Sequence, residues 1–212
     1  MNKIKYNIEQ YPFKDIISKL FKCKDLSNIH NDNNWKSDYG LFTNVETDTH
    51  TDFHKHFYDN VENTEFYDIY TKFVDEQVRT LFDEPIIYQK IPSFRVQLPN
   101  NVGVAAFHRD RDYNHSPYEV NMFIPMTKAS GNNTIWVESK EDKGDYSPMN
   151  TDLGEFVKWD GANLRHANKV NDTNKTRVSF DFRVMPLSKY KDNERESVSV
   201  KTKMKRGEYF SK

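Results

Sequence analysis

The sequence predicts an α+β chain, with a helical front leading into a double-stranded β-helix, the two-sheet arrangement also called a jelly roll. Three observations carry this. Apolar residues recur at helical spacing before about residue 85, they recur in short runs of period two after it, and turn residues separate several of those runs.

In the front, Phe13, Ile16, Ile17 and Leu20 define one amphipathic helix. Phe66, Ile69, Tyr70, Phe73, Val74, Val78 and Leu81 define another, with charges on the opposite face. The strand-like runs are 86–98, 102–108, 118–126, 133–138, 155–159 and 176–184, with a late strand at 197–203. Asn100-Asn101, Gly131-Asn132-Asn133, Gly144 and Gly161 supply breaks between them. At 212 residues the chain is read as a single domain, with 1–85 mainly helical and 86–212 forming the roll. Within 176–184, Val178, Phe180, Phe182 and Val184 fall on one face, and Arg177, Ser179, Asp181 and Arg183 on the other. That polar face either meets solvent at a sheet edge or lines a polar cavity inside the roll.

A net charge of -1 gives no electrostatic case for nucleic acid or an anionic membrane. Charged residues at 30% and a mean hydropathy of -0.91 describe a wet surface, while 15 Phe and 12 Tyr supply bulk for a core. Cys23 is the single cysteine, so an internal disulfide and a thiolate zinc cluster are both excluded. No run approaches the roughly 20 apolar residues of a membrane helix, and the N-terminus lacks a signal-peptide pattern. A soluble, cytoplasmic protein is expected.

The chemistry-bearing motif is Phe107-His108-Arg109-Asp110, at the end of the apolar run Val102-Gly103-Val104-Ala105-Ala106. Ligands two residues apart at a strand end point to the same side. Two His and one carboxylate hold iron(II) on one face and leave positions for a co-substrate and oxygen, so His166 is the third candidate ligand. His-x-Asp alone has little specificity, and the chain has a second copy, His50-Thr51-Asp52. That copy precedes helical patterning and has no strand before it. With His54 and His56 nearby it reads as a solvated turn in preference to a surface metal patch. Asp112 lies too far along an extended chain, by about 6–7 Å, unless the chain turns back. His115 is assigned to the connecting loop. Specificity comes from Arg177 and Ser179, which share a strand face 11 and 13 positions after His166. A 2-oxoglutarate chelating iron through its 2-oxo acid leaves a distal carboxylate, which a two-pronged arginine matches.

Together these residues resemble the Fe(II)/2-oxoglutarate-dependent dioxygenase superfamily, whose motif is His-x-Asp, a distant His, then Arg-x-Ser. The stretch from Phe94 to about Lys189 is similar to its streptomycin-biosynthesis-type and phytanoyl-CoA-hydroxylase-like branch. The matching passages are Phe107–Asp110, Asn133–Ser139, Gly154 through Gly161 into His166, and Arg177–Arg183. The first 85 residues match nothing nameable. The resemblance implies Fe(II), 2-oxoglutarate and O2 as cofactor and co-substrates, with His108, Asp110 and His166 as catalytic metal ligands. It implies Arg177 and Ser179 as co-substrate anchors and Asn121 as a polar contact beside them. It also implies hydroxylation of a small molecule with release of succinate and carbon dioxide, since Asp110 keeps the carboxylate that related halogenases lack.

Arg109, Arg111 and Arg165 flank the proposed ligands and suggest an anionic substrate; the alternative is that they balance nearby acids. Trp136 and Trp159 are read as core or cavity wall, and Asp181 or Asn168 as candidates for orienting the ligands. Partners are expected to be a small-molecule substrate, with no nucleic acid and no membrane; oligomeric state stays open, a homodimer among the options. A protein-kinase reading of His108-Arg109-Asp110 fails for want of a glycine-rich phosphate loop. A cupin-like isomerase or epimerase and a non-catalytic jelly-roll binding module remain as alternatives, but neither gives Arg177 and Ser179 a specific role.

Overall fold

The computed structural model describes residues 1–35, 51–103, 106–197 and 202–211. Helix α1 (Phe13–Leu20) buries Phe13, Ile16 and Ile17, as its spacing predicts. Helix α2 (Asp52–Asn60) buries Phe53, His54 and Phe57. Helix α3 (Phe66–Phe73) buries Phe66, Tyr70 and Phe73, then loosens into a π turn at Val74–Val78 and a 3-10 turn at Arg79–Leu81. The second predicted helix is therefore three unlike turns in series, and Val74 and Val78 keep their place in the core.

Among the described residues the strands are β1 (Asn2–Lys5), β2 (Ile86–Tyr88), β3 (Ser93–Gln97), β4 (Val120–Pro125), β5 (Ile135–Val137), β6 (Ser147–Pro148), β7 (Glu155–Trp159), β8 (His166–Asn168) and β9 (Arg177–Pro186). They form two sheets with every named pair antiparallel. The larger runs β1-β7-β4-β9-β2, with β3 also on β9, and the smaller runs β6-β5-β8. The predicted run 86–98 is split around Pro92, whose nitrogen cannot donate to a ladder. Strand β2 consequently pairs with residues 184–186 of β9, and β3 with 177–181. Strand β1 lies in the part expected to be helical. It is a short edge strand with two lysines, a form that discourages pairing with other chains.

Strand β9 is not a sheet edge. It pairs with β4 on one side and with β2 and β3 on the other, and residues 177–185 are all buried. Its apolar face meets the helices. Phe180 has ring contacts with Phe13 at 4.9 Å and Phe66 at 5.4 Å, and Phe182 meets Tyr70 at 5.0 Å. Beside them Phe57 stacks on Phe94 at 4.2 Å. Burial of these aromatic rings unites α1, α2, α3 and the larger sheet in one core. A smaller cluster, including Phe123, Val137, Val157 and Trp159, joins the larger sheet to the smaller one. The polar face of β9 looks into the space between the sheets.

Two predicted strands fare differently. In 102–108, Val104 and Ala105 lie outside the described residues, and His108 forms only an isolated bridge with His166. In 197–203, residues 198–201 lie outside the described residues, and Glu196 and Lys203 form a bridge across them. No helix among the described residues is long and apolar enough to cross a membrane.

Candidate metal centre

The two histidines are joined through their backbones. His108 N donates to His166 O at 3.1 Å and His166 N to His108 O at 2.9 Å, which fastens the His108 segment to β8. The rings lie 4.4 Å apart. Each Nδ1 faces a carbonyl two residues earlier, Ala106 O at 2.8 Å and Leu164 O at 2.9 Å. Because a carbonyl only accepts, Nδ1 carries the proton in both rings, and each Nε2 keeps its lone pair. Asp110 begins a 3-10 turn, Asp110–Tyr113, and its backbone N–H donates to Gly161 O at 3.0 Å. Its Oδ1 lies 3.5 Å from His166 Nε2 and 3.8 Å from His108 Nε2. Among the described residues these three form the group able to hold a metal ion, with ligand atoms within 4.8 Å of one another.

The turn also settles the neighbouring candidates. The Asp112 carboxylate accepts from Arg109 N at 3.2 Å and caps the turn, so the chain does fold back but spends this acid on Arg109. His115 Nδ1 lies 2.7 Å from the buried Glu119 carboxylate. His54 Nδ1 meets Thr51 Oγ1, and His56 Nε2 donates to Leu20 O, so the two rings serve different local contacts. His50 is outside the described residues.

The other carboxylate oxygen of Asp110 is occupied. Asp110 Oδ2 accepts from Asn121 Nδ2 at 2.8 Å and from Arg183 Nε at 3.0 Å, and pairs with the Arg183 guanidinium, whose Nη2 also lies 3.0 Å away. Burial alone would raise the Asp110 pKa, but the Arg183 guanidinium, helped by His166, holds the carboxyl well below its usual range. For His166 burial pushes the pKa down to about 4, against the pull of Asp110 and with the help of His108. His166 is therefore neutral at pH 7, the form that binds metal. In the unfolded chain its pKa returns to the ordinary 6.5, so between that value and about 4 the unfolded state takes up a proton that the fold refuses. The metal-free protein should accordingly lose stability as pH falls through this window, and this group should contribute no slope above it. Urea midpoints that stay flat from pH 7 to about 4.5 would contradict the assignment.

The remaining cavity wall is polar and buried. Arg177 Nη1 donates to Asn168 Oδ1 at 2.7 Å, and its guanidinium sits 5.9 Å from the Phe123 ring. On the same strand face, the buried Ser179 Oγ has no hydrogen-bond partner among the described residues, nor does Asn121 Oδ1. Trp159 stands edge-on to His166 at 4.7 Å and lines the cavity with it. Trp136 lies elsewhere, beneath Lys169 Nζ at 3.3 Å. Two glycines permit close approach. A Cβ at Gly103 would come within 3.2 Å of Asn168, and one at Gly161 within 2.6 Å of the Asn121 amide. Gly161→Ala should push Asn121 off Asp110, cost about 1–3 kcal/mol of stability and weaken metal binding, as read by a thermal midpoint and a metal titration.

Arg109, Arg111 and Arg165 do not line this cavity. Arg109 pairs with Asp112, Glu141 and Asp142, Arg111 with Glu141, and Arg165 with Asp142 at 3.2 Å. This is the arrangement of the alternative reading, in which they balance nearby acids. Arg183 is the residue whose part as the partner of Asp110 sequence reasoning missed. Strand period placed it on the polar face of β9, but nothing in the sequence shows that it meets Asp110.

No protein-family profile matches the chain. Among solved structures, the non-heme monooxygenase ThoJ in its nickel complex superposes with a TM-score of 0.52 at 12% identity, covering 93% of this chain and 78% of that one. The apo form of ThoJ gives the same TM-score at 11% identity. The chain thus has the fold of a non-heme monooxygenase, with a His-Asp-His group between its sheets. Among curated proteins, the streptomycin biosynthesis protein StrG of Streptomyces griseus is 38% identical over 210 residues, spanning 98% of this chain and 96% of that protein. The chain belongs to the StrG family. The likeness includes the first 85 residues, for which the sequence alone suggested no relative.

Proposed function

We propose that the chain is a non-haem Fe(II)/2-oxoglutarate-dependent oxygenase that oxidises a small molecule, hydroxylation being the reaction its intact Asp110 favours. The observation that carries the proposal is a cavity lined by His108, His166 and the buried Arg177, with Asp110 Oδ1 within 3.8 Å of both histidine Nε2 atoms. The donor set fits: two neutral imidazoles and one carboxylate suit iron(II) and leave coordination positions open. The two antiparallel sheets with this site between them are read as the double-stranded β-helix of such enzymes. When bound, iron and 2-oxoglutarate supply the oxidative decarboxylation that is coupled to attack on a C–H bond.

The chain's own residues have separate tasks in this reading. His108 and His166 present Nε2 because Ala106 and Leu164 take the Nδ1 protons. Arg177 offers paired N–H groups to the distal carboxylate of 2-oxoglutarate, and Ser179 Oγ offers a further hydrogen bond from a position otherwise unsatisfied. Phe123 and Trp159 exclude water around these charges. A cupin-like isomerase would use the same metal ligands but gives Arg177 and Ser179 no task.

The test is anaerobic addition of Fe(II) and 2-oxoglutarate to the purified chain. A weak visible charge-transfer band is expected, followed by succinate on admitting air, even without the substrate. A band with no succinate under any candidate substrate favours the isomerase, and neither signal favours a binding module.

A further inference from the structure

Asp110 carries an unusual load for one carboxylate. Its Oδ2 accepts two N–H groups, from Arg183 Nε and Asn121 Nδ2, with Arg183 Nη2 also 3.0 Å away in the ion pair, while Oδ1 alone faces the histidine Nε2 atoms. Arg183 has little freedom to release it. The guanidinium is clamped at its other end, where Nη1 donates to Asp181 Oδ2 at 2.9 Å and lies 3.4 Å from Ser93 Oγ. Asp181 is fixed in turn by Arg95 Nε at 3.1 Å. The Arg183 backbone N–H donates to the buried Gln89 side chain at 3.3 Å. Charges alternate along Asp110, Arg183, Asp181 and Arg95, so neither end of the fork gains by letting go. Asn121 is held in place by Gly161, against which its amide lies.

We infer that Arg183 is a positioning residue that confines Asp110 to a metal through Oδ1 alone. An oxygen whose two lone pairs already accept N–H groups, with a guanidinium nitrogen beside it, has none left for an ion. Held this way, Asp110 takes one coordination position, and a second is not lost to a chelating carboxylate. Lysine cannot substitute, because it delivers a point charge without the rigid fork that grips one oxygen from two nitrogens. The inference rests on the proposed metal site and goes beyond it by assigning the residue that sets the carboxylate's binding mode.

The test uses the full metal-free chain and Co(II) as a visible-absorbing probe. Arg183→Lys keeps the charge and should weaken Co(II) binding by about 10–100-fold. At saturating Co(II) its absorption band should also differ from that of the unaltered chain, which a merely structural role would not produce. Should Arg183→Lys fail to fold, Asn121→Ala removes the other N–H group on Oδ2 and is expected to give a smaller loss of the same kind with a shifted band. A folded variant with an unchanged band at saturation overturns the inference, whatever its affinity. An unaltered chain that binds no Co(II) overturns the metal site itself, and the inference falls with it.

Discussion

Asp110→Ala is expected to abolish succinate formation from 2-oxoglutarate and to destabilise the fold by about 3–5 kcal/mol. Both effects follow from the two ends of one carboxylate. Loss of Oδ1 removes the single anionic ligand from the proposed triad. Loss of Oδ2 leaves the buried Arg183 guanidinium with Asp181 as its remaining carboxylate. Asp110→Asn separates the two. Its amide oxygen can still accept from Arg183 and Asn121, so most of the stability should return while turnover stays absent. Denaturant unfolding and a succinate assay on the pair provide the check. An Asp110→Ala protein with undiminished succinate release would remove Asp110 from the site.

The second large effect is expected at Arg177. Arg177→Ala should raise the KM for 2-oxoglutarate by about 10- to 100-fold, since a charge-assisted hydrogen bond contributes about 1.5–3 kcal/mol. Succinate formation measured across a wide range of 2-oxoglutarate concentration reads this directly. At saturation much of the turnover should survive, because the anchor acts on binding and not on the metal. Arg177→Lys should recover little, for the site offers a planar fork a place between Asn168 and Phe123 and a lysine cannot fill it. An unchanged KM would place the co-substrate carboxylate elsewhere in the cavity.

Much of this site was legible in the sequence because it is written in period two. Arg177, Ser179, Asp181 and Arg183 alternate with four apolar residues, and the structure lines the cavity with the three charged members of the first set and packs the second set into the core shared with the helices. The histidines were legible as residue types. Their juxtaposition depends on a bridge between segments nearly 60 residues apart, which no local pattern encodes. The bounds of β8 could not be read because His-Ala-Asn has no alternation, and β1 was missed because four residues with one half-buried isoleucine carry almost no hydrophobic signal. The arginines flanking the motif misled for the opposite reason. Sequence proximity put Arg109, Arg111 and Arg165 beside the ligands, whereas Glu141 and Asp142, between the two motifs in the chain, pair with them.

A strand buried on both sides has no tolerant frame. Inserting or deleting one residue between Arg177 and Arg183 would exchange the two sets of side chains, driving guanidinium groups among phenylalanine rings and aiming phenyl groups at the ligands. Variation along β9 is therefore confined to substitutions, and length changes in this chain must be absorbed elsewhere, in its connecting segments.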